Sequence, residues 1–551
     1  MERSARAASL VLFLVLVPAA AAFAACGSDD NNDTFGDGGP DSTSSDAPSA
    51  DDSPFVQDAF DGPWNDFPSN PIIDAPDAGP SAPSNSQQLF GDPDAGASSG
   101  GPCLVEPEVN SLYPRNWLRP RFHWIAPGGE NLFELRIHAG NQVNDLVVYT
   151  AETTWTMPST MWDGLRIHSN DQPMTVSVRG GVYASPNLTD VAFGSSGPLG
   201  IAPVDAPGAI VYWTTSGGSA LKGFSIGDET VVPVMVPSQL QEFNATCIGC
   251  HTSTPDGFYA ELTTSNGWNN AIGSVQANTV GQVPPFLGAA GKAALEYAPR
   301  GISAFSPAHW GPNDYTVITT YNDSDLSWVD LGATSGTATG VLARTGDTRK
   351  GAAPTWSHDG TTIVYVSTTA VFTGRLDNGP ADLYSIPYAN RVGGQALPIP
   401  GASDANYEEY YPAFSPDDQL LAFDRIPNGN NMYNNPNAEV YVIPASGGTA
   451  TRLAANDPPA CTGKSSPGIT NSWPKWAPQA ATASGGRTFY WVVFSSTRDE
   501  NGNPQLYVTP VVVANGTVTT YQALYLWNQP ASENNHTPAW DEFKIPPPPV
   551  Q

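Results

Sequence analysis

From about Ala206 onward, apolar and polar positions follow one recurring order. A proline and an aromatic residue lead into a Ser-Pro-Asp-Gly-like turn, then an apolar strand, and later a second apolar strand. The clearest copies are "PTWSHDGTTIVYVS" from Pro354, "YPAFSPDDQLLAFDR" from Tyr411 and "WPKWAPQ…FYWVVFSSTRDENGNPQLYVTPV" from Trp473. Weaker copies begin at Gly301 ("GISAFSPAHWGPNDYTVITTY") and Ser253 ("STPDGFYAELTT"). Short alternating runs bounded by turn residues predict strands. Recurrence at roughly fifty to sixty residues predicts a ring of four-stranded units. The last copy, "NNHTPAWDEF" from Asn534 to Phe543, supplies a first strand and stops. The segment "AIVYWTTSGGSALKGFSIGDETVVPVM" from Ala209 supplies three strands and lacks the first. Joined, they make one unit, and five complete copies plus this composite predict six, closed by the C-terminal strand.

Ahead of the repeat, residues 103–205 read as a separate small all-β unit. "RPRFHWIAP", "NLFELRIHAG", "DLVVYTAE" and "MTVSVRGGVY" are short and alternating, with turn residues between them. That spacing predicts a sandwich, and the pattern resembles immunoglobulin-like or fibronectin type III modules. His123, His138 and His168 in this unit read as surface or packing residues. The repeat in turn resembles the TolB-type propeller, whose blades read "P-x-W-S-P-D-G…I-A-F…S…Y". The resemblance implies an all-β chain in which the sandwich precedes a six-bladed β-propeller over residues 206–545. The small α/β domain that precedes the propeller in TolB has no counterpart in this sequence, so TolB's lipoprotein partner does not carry over. Enzymes that carry such propellers add a hydrolase domain, and the repeat contains no G-x-S-x-G elbow.

The start of the chain changes the picture of where this body works. "MERSAR", an apolar run from Ala7 to Ala25 and small residues before Cys26 describe a secretory signal over 1–25. "FAAC" resembles a lipobox, which implies lipidation of Cys26 and a membrane anchor. Phe23 stands where that family has Leu, so plain cleavage and an uncleaved helix remain alternatives. Gly27, in place of Asp after the Cys, favours the outer membrane. Residues 27–102 hold fifteen Asp and no Glu, Lys or Arg, half of a formal net charge of -30. Such a composition predicts a disordered acidic tether over 26–102. The acidity argues against nucleic acid or an anionic surface as a partner.

Five cysteines then divide without remainder. "CIGCH" places Cys247, Cys250 and His251 at the spacing that attaches a c-type haem, with two thioethers and an imidazole ligand to iron. A disulfide between Cys247 and Cys250 is the bland alternative, and zinc lacks a second Cys/His pair. Cys103 and Cys461 remain, either bridged across an oxidising compartment or free. Aligned on the turn, "HTSTPDG" falls on "PTWSHDG". His251 therefore takes the place of Pro354, and Cys250 aligns with Ala353, Tyr411, Trp473 and Thr537. In TolB-like blades this position lies at one mouth of the central channel.

His536, from the C-terminal strand, aligns with Gly249 and belongs to the neighbouring blade. The expected iron site is therefore His251 and His536 around a single covalent haem c. The function expected is an exported, membrane-anchored monohaem cytochrome passing single electrons in the periplasm or at the cell surface to a redox partner. The alternative is a TolB-like scaffold binding an envelope protein or polymer, with haem structural or absent. No hydrolase or peroxidase constellation is legible, so an electron carrier or binding protein is expected rather than an enzyme.

Overall fold

The computed structural model describes residues 62–548, except 217, 265–268, 298–300, 322–324, 370–379, 430–431 and 433. The expected signal segment, Cys26 and the tether up to residue 61 lie outside the described residues. No helix among the described residues is long and apolar enough to cross a membrane, which says nothing about a β-barrel. The chain is nearly all β.

The first unit is built from two sheets. One orders the strands Ile72–Ile73, Leu146–Thr150, Leu132–Ala139, Met174–Ala184, Asn187–Ile201 and Leu112–Tyr113. The other orders Cys103–Glu106, Arg121–Ile125 and Thr154–Thr156. Alternation decides which side is covered: along Arg121–Ile125, Phe122 and Trp124 are buried and their neighbours half-buried. They pack with Leu135, Ile137, Val148, Val176 and Val178 of the larger sheet. The sequence reading missed a helix, Ser159–His168, whose Trp162 and Leu165 are buried. The Trp162 indole donates to the Trp117 carbonyl at 3.0 Å, which satisfies its one polar atom inside the core.

The described part of the expected tether is folded, a correction to that reading. Ile72–Ile73 runs parallel to Leu146–Thr150 as an added strand. Phe67 and Phe90 are buried. Sparse apolar anchors offset the ordering entropy, while the acidic residues find partners. Asp66 accepts from Gln142 Nε2 at 2.7 Å and pairs with His168 Nδ1 at 3.0 Å. His168, stacked on Trp64 at 3.8 Å, clamps this segment to the sandwich.

The repeat folds as antiparallel sheets of a β-propeller, each sheet led by one inner strand. Those strands are His251–Ser253, Lys350–Trp356, Tyr407–Phe414, Asn471–Trp476 and Asn535–Asp541, with an isolated bridge at Ala304 in the copy from Gly301. The turn chemistry is local. Ser357, Ser415 and Thr254 each donate a hydroxyl to the aspartate two residues on, at 2.6, 2.7 and 2.6 Å. The same hydroxyls accept from the backbone of Thr362, Leu420 and Tyr259. These side-chain bonds hold a tight turn against the competing strand register. Asp418 stands where two other copies have Gly, in the left-handed region at φ 59°. Its carboxylate accepts from the backbone N–H groups of His358 and Asp359 in the next blade.

Asn535–Asp541 pairs antiparallel with Ala209–Thr214, from Ala209 opposite Asp541 to Thr214 opposite Asn535. The two ends of the repeat therefore complete one sheet. The sandwich core continues into this sheet through Ile210, Tyr212 and Trp540. A buried Arg498–Glu108 ion pair at 2.8 Å and the Cys103–Cys461 disulfide, Cα atoms 5.7 Å apart, tie the units together.

Candidate functional site: the bulge ring and the central channel

Four of the inner strands carry the same irregularity. Ala352 faces Val366 and Thr355 faces Val364, so Ala353 and Pro354 together oppose Tyr365. Tyr411–Pro412, Trp473–Pro474 and Thr537–Pro538 repeat this two-against-one bulge opposite Phe423, Phe494 and Tyr212. Proline belongs at such a point, because it brings no N–H to the ladder. The residues before it are left-handed: Ala353 at φ 41°, Tyr411 at 51°, Trp473 at 58° and Thr537 at 38°. That conformation is unfavourable for side chains with a Cβ and marks strain held in place by the surroundings.

Cys250 occupies the same place. Gly249 donates to the Thr263 carbonyl, Thr263 donates to the Cys250 carbonyl, and His251 faces Leu262, leaving Cys250 as the extra residue. It is not among the left-handed residues. His251, in the proline position, has a buried ring whose Nε2 lies 3.1 Å from the Val211 carbonyl of the neighbouring blade. Val211 sits at the register shift opposite Thr537–Pro538. The imidazole thus supplies the donor that a proline bulge cannot. Burial pushes the His251 pKa down to about 4, against the backbone carbonyls of Val211 and Gly249, which favour the charged form. Burial pushes the Cys250 thiol up to about 11. A thiol held protonated is a poor nucleophile or metal ligand.

A haem clipped at this motif needs both thiols beside a void and an imidazole nitrogen free to reach iron. Cys247 and Cys250 are unbridged. The His251 nitrogen is engaged with Val211, and no group of three or more His, Cys, Asp and Glu able to hold a metal ion occurs among the described residues. As placed, His251 Nε2 would have to leave the Val211 carbonyl to reach an iron. The strands that carry the two expected ligands, His251 and His536, pack against each other. His536 is buried opposite Trp213, its ring 5.7 Å from Trp213 and 5.8 Å from Trp473, with no contact to His251 among the described residues. Desolvation alone pushes its pKa down to about 4. His536 is an aromatic-packed core histidine.

What the ring encloses is a channel of about 330 Å³. Three successive layers of the inner strands line it. The bulge layer is Cys250, Ile302, Ala353, Tyr411, Trp473 and Thr537, and prolines dominate the next layer, with His251 and Ser303. The third layer is Thr252, Ala304, Thr355, Ala413, Ala539 and Lys475. Lys475 is the only Lys or Arg among the described lining residues. Burial lowers its pKa, with Cys250, Asp541 and Asp424 acting in the opposite direction. No hydrogen bond or ion pair reaches its amine among the described residues. Asp541 beside the channel is pushed up to about 6 by burial. Asp424, behind Trp473, is pushed well above the carboxylate range by burial and is bonded to Ser472 and the Trp473 N–H. Sequence reasoning overlooked Lys475. Writing the repeat copies as columns would have found it, as the single long cation in a column of Thr and Ala.

No protein-family model matches the chain, and no curated protein matches it closely enough to be significant. Solved structures do resemble it. A putative TolB from Agrobacterium tumefaciens is 14% identical over 60% of this chain and 98% of its own, with a TM-score of 0.31. Kuenenia stuttgartiensis hydrazine synthase is 14% identical over 50% of this chain and 70% of its own, with a TM-score of 0.29. The β-propeller domain of Myceliophteria thermophila Cps50 (Swd1) is 12% identical over 58% of this chain and 87% of its own, with a TM-score of 0.30. Superpositions this loose carry no argument, and the sheets and channel stand on their own as a β-propeller.

Proposed function

We propose that the chain is an exported, lipid-anchored binding scaffold. In this reading an Ig-like sandwich supports a six-bladed propeller whose central channel receives part of an envelope protein or polymer. One observation carries it: a channel lined by prolines, small residues and aromatic rings, into which a lysine amine with no direct partner among the described residues and the hydroxyls of Thr252, Thr355 and Thr537 converge. Enclosed channels that combine apolar walls with converging polar groups bind ligands. The strained bulge residues at the mouth add support, since such conformations concentrate at functional sites. Export and anchoring rest on the leader and Cys26 in the sequence.

The test is ligand-observed NMR against a panel of small carboxylates, amines, sugars and amides. It compares the mature protein with Thr355→Trp, which fills the channel. Ligands that bind the first and not the second are expected. A panel that binds neither, or both alike, overturns the channel reading. The same preparation, made in a haem-attaching host, decides the electron-carrier expectation. Covalent haem in the intact mass with Soret absorbance would restore it, and its absence leaves the scaffold. Cys26→Ser is expected to release the protein from membranes.

A further inference from the structure

The channel wall is uneven in one respect only at its third layer. Five inner strands contribute Thr252, Ala304, Thr355, Ala413 and Ala539, side chains of one to three heavy atoms, and the sixth contributes Lys475. The alternation of Asn471–Trp476 fixes this. Trp476 turns into the core and donates to the Ala413 carbonyl at 2.9 Å, while Lys475 lines the channel. The amine has no hydrogen-bond or ion-pair partner among the described residues. The Thr252 and Thr355 hydroxyls make no hydrogen bond to a described residue, and both line the same channel. The half-buried amine faces Asp541 across the channel without a direct bond, so it keeps its donors for a ligand.

We propose that Lys475, with the hydroxyls of Thr252 and Thr355, forms a site for the carboxylate of a ligand whose aliphatic part lies along the proline layer. The proposal rests on the channel being the binding site and names its ligand chemistry. A single positive charge suits a monoanion. A phosphate dianion calls for a second cation, and the described lining has none. The other ionisable groups around the amine are Asp541, Asp424, Cys250 and His251. Neither aspartate comes within ion-pair distance of Lys475 among the described residues. Their acidity further disfavours a dianion.

The probes are butyrate and its neutral isostere butyramide, titrated into the mature protein by NMR, with Lys475→Gln as the variant. Butyrate is expected to bind at least about ten-fold more tightly than butyramide. In Lys475→Gln the preference should vanish, with butyrate weakened by about the same factor. Lys475→Met, which keeps the stem without a charge, repeats the test should the Gln variant misfold. Equal binding of the two probes to the wild type overturns the proposal, as does a preference that survives in both variants. Loss of all panel ligands in Thr355→Trp, together with no carboxylate preference, would refute the carboxylate site and leave the channel reading standing.

Discussion

The bulges at Trp473–Pro474 and at Cys250 sit at matching places in the repeat and differ in both backbone and chemistry. In the first, proline interrupts the ladder, and the residue before it is left-handed, its side chain carried among aromatic rings: Trp473 lies 5.9 Å from Tyr411 and 5.8 Å from His536. In the second, a histidine occupies the proline position and spends its ring on the Val211 carbonyl of the next blade. The preceding residue is spared the left-handed conformation. In space, the C-x-x-C-H segment leads into its inner strand through a bulge made without proline. The repeat fixes where the bulge falls, and the residues at that point are free to differ.

The bulge at Thr537–Pro538 belongs to the strand that completes the ring, and removing it is the harshest test. Deleting residues 535–551 takes away the pairing with Ala209–Thr214 together with buried Trp540 and Phe543. Two strand edges open at once. Cooperative unfolding by calorimetry should be lost, a deficit of more than about 5 kcal/mol given the large buried side chains removed. A variant that melts as the full chain does would show that the terminal strand does not complete the fold.

The next test separates the two bulges. His251→Ala leaves the buried Val211 carbonyl without its donor and opens a void between blades. The expected loss is about 2–4 kcal/mol in denaturant unfolding. His251→Gln keeps an N–H donor and should lose less. Equal losses in the two variants would mean the ring acts by packing alone.

Much of this was legible along the chain, and the failures have physical causes. The turns could be read because a hydroxyl, an aspartate and a glycine within four residues build them locally. The closing strand could be read because a truncated last copy and a first segment without an inner strand complete each other. The segment 62–102 was misread because average composition hides a few anchors, and Phe67, Ile72 and Phe90 suffice to dock it. The helix Ser159–His168 carries only Trp162 and Leu165 as buried residues, too few to show a helical period. The bond from His251 to Val211 was not legible because the partner lies forty residues away, across a blade boundary. The candidate haem ligands were chosen by their place in the repeat, which fixes the strand position but not where a ring points.

His536 offers a gentler test. Its ring is buried between Trp213 and Trp473 with no hydrogen bond, and its pKa is pushed down to about 4 from an ordinary value of 6.5. Between those values the unfolded chain binds a proton that the native state refuses, so stability rises with pH across that window and falls on acidification through it. Replacing the ring by phenylalanine removes the titration and keeps the packing. His536→Phe should match the wild type within about 1 kcal/mol at pH 7 and exceed it by about 1–2 kcal/mol at pH 5. A difference that does not change with pH would place the charged ring in a polar environment.

The smallest expected effect is the most specific to the comparison. Ala353 holds φ 41° at the bulge, where a Cβ crowds the following carbonyl and glycine does not. Ala353→Gly relieves that crowding and removes only a methyl group. The unfolded chain gains some freedom in exchange, which offsets part of the gain. The balance should favour the variant by up to about 1 kcal/mol. Cys250 sits at the matching position without the left-handed backbone, so Cys250→Gly has no crowding to relieve and loses a thiol that lines the channel. It should destabilise by about 1 kcal/mol. Opposite signs for one substitution at two equivalent places are the signature of a bulge strained by proline in one blade and relaxed by histidine in the other. Two changes of the same sign, measured by midpoint shifts in urea, would mean that His251 and Pro354 impose the same backbone after all.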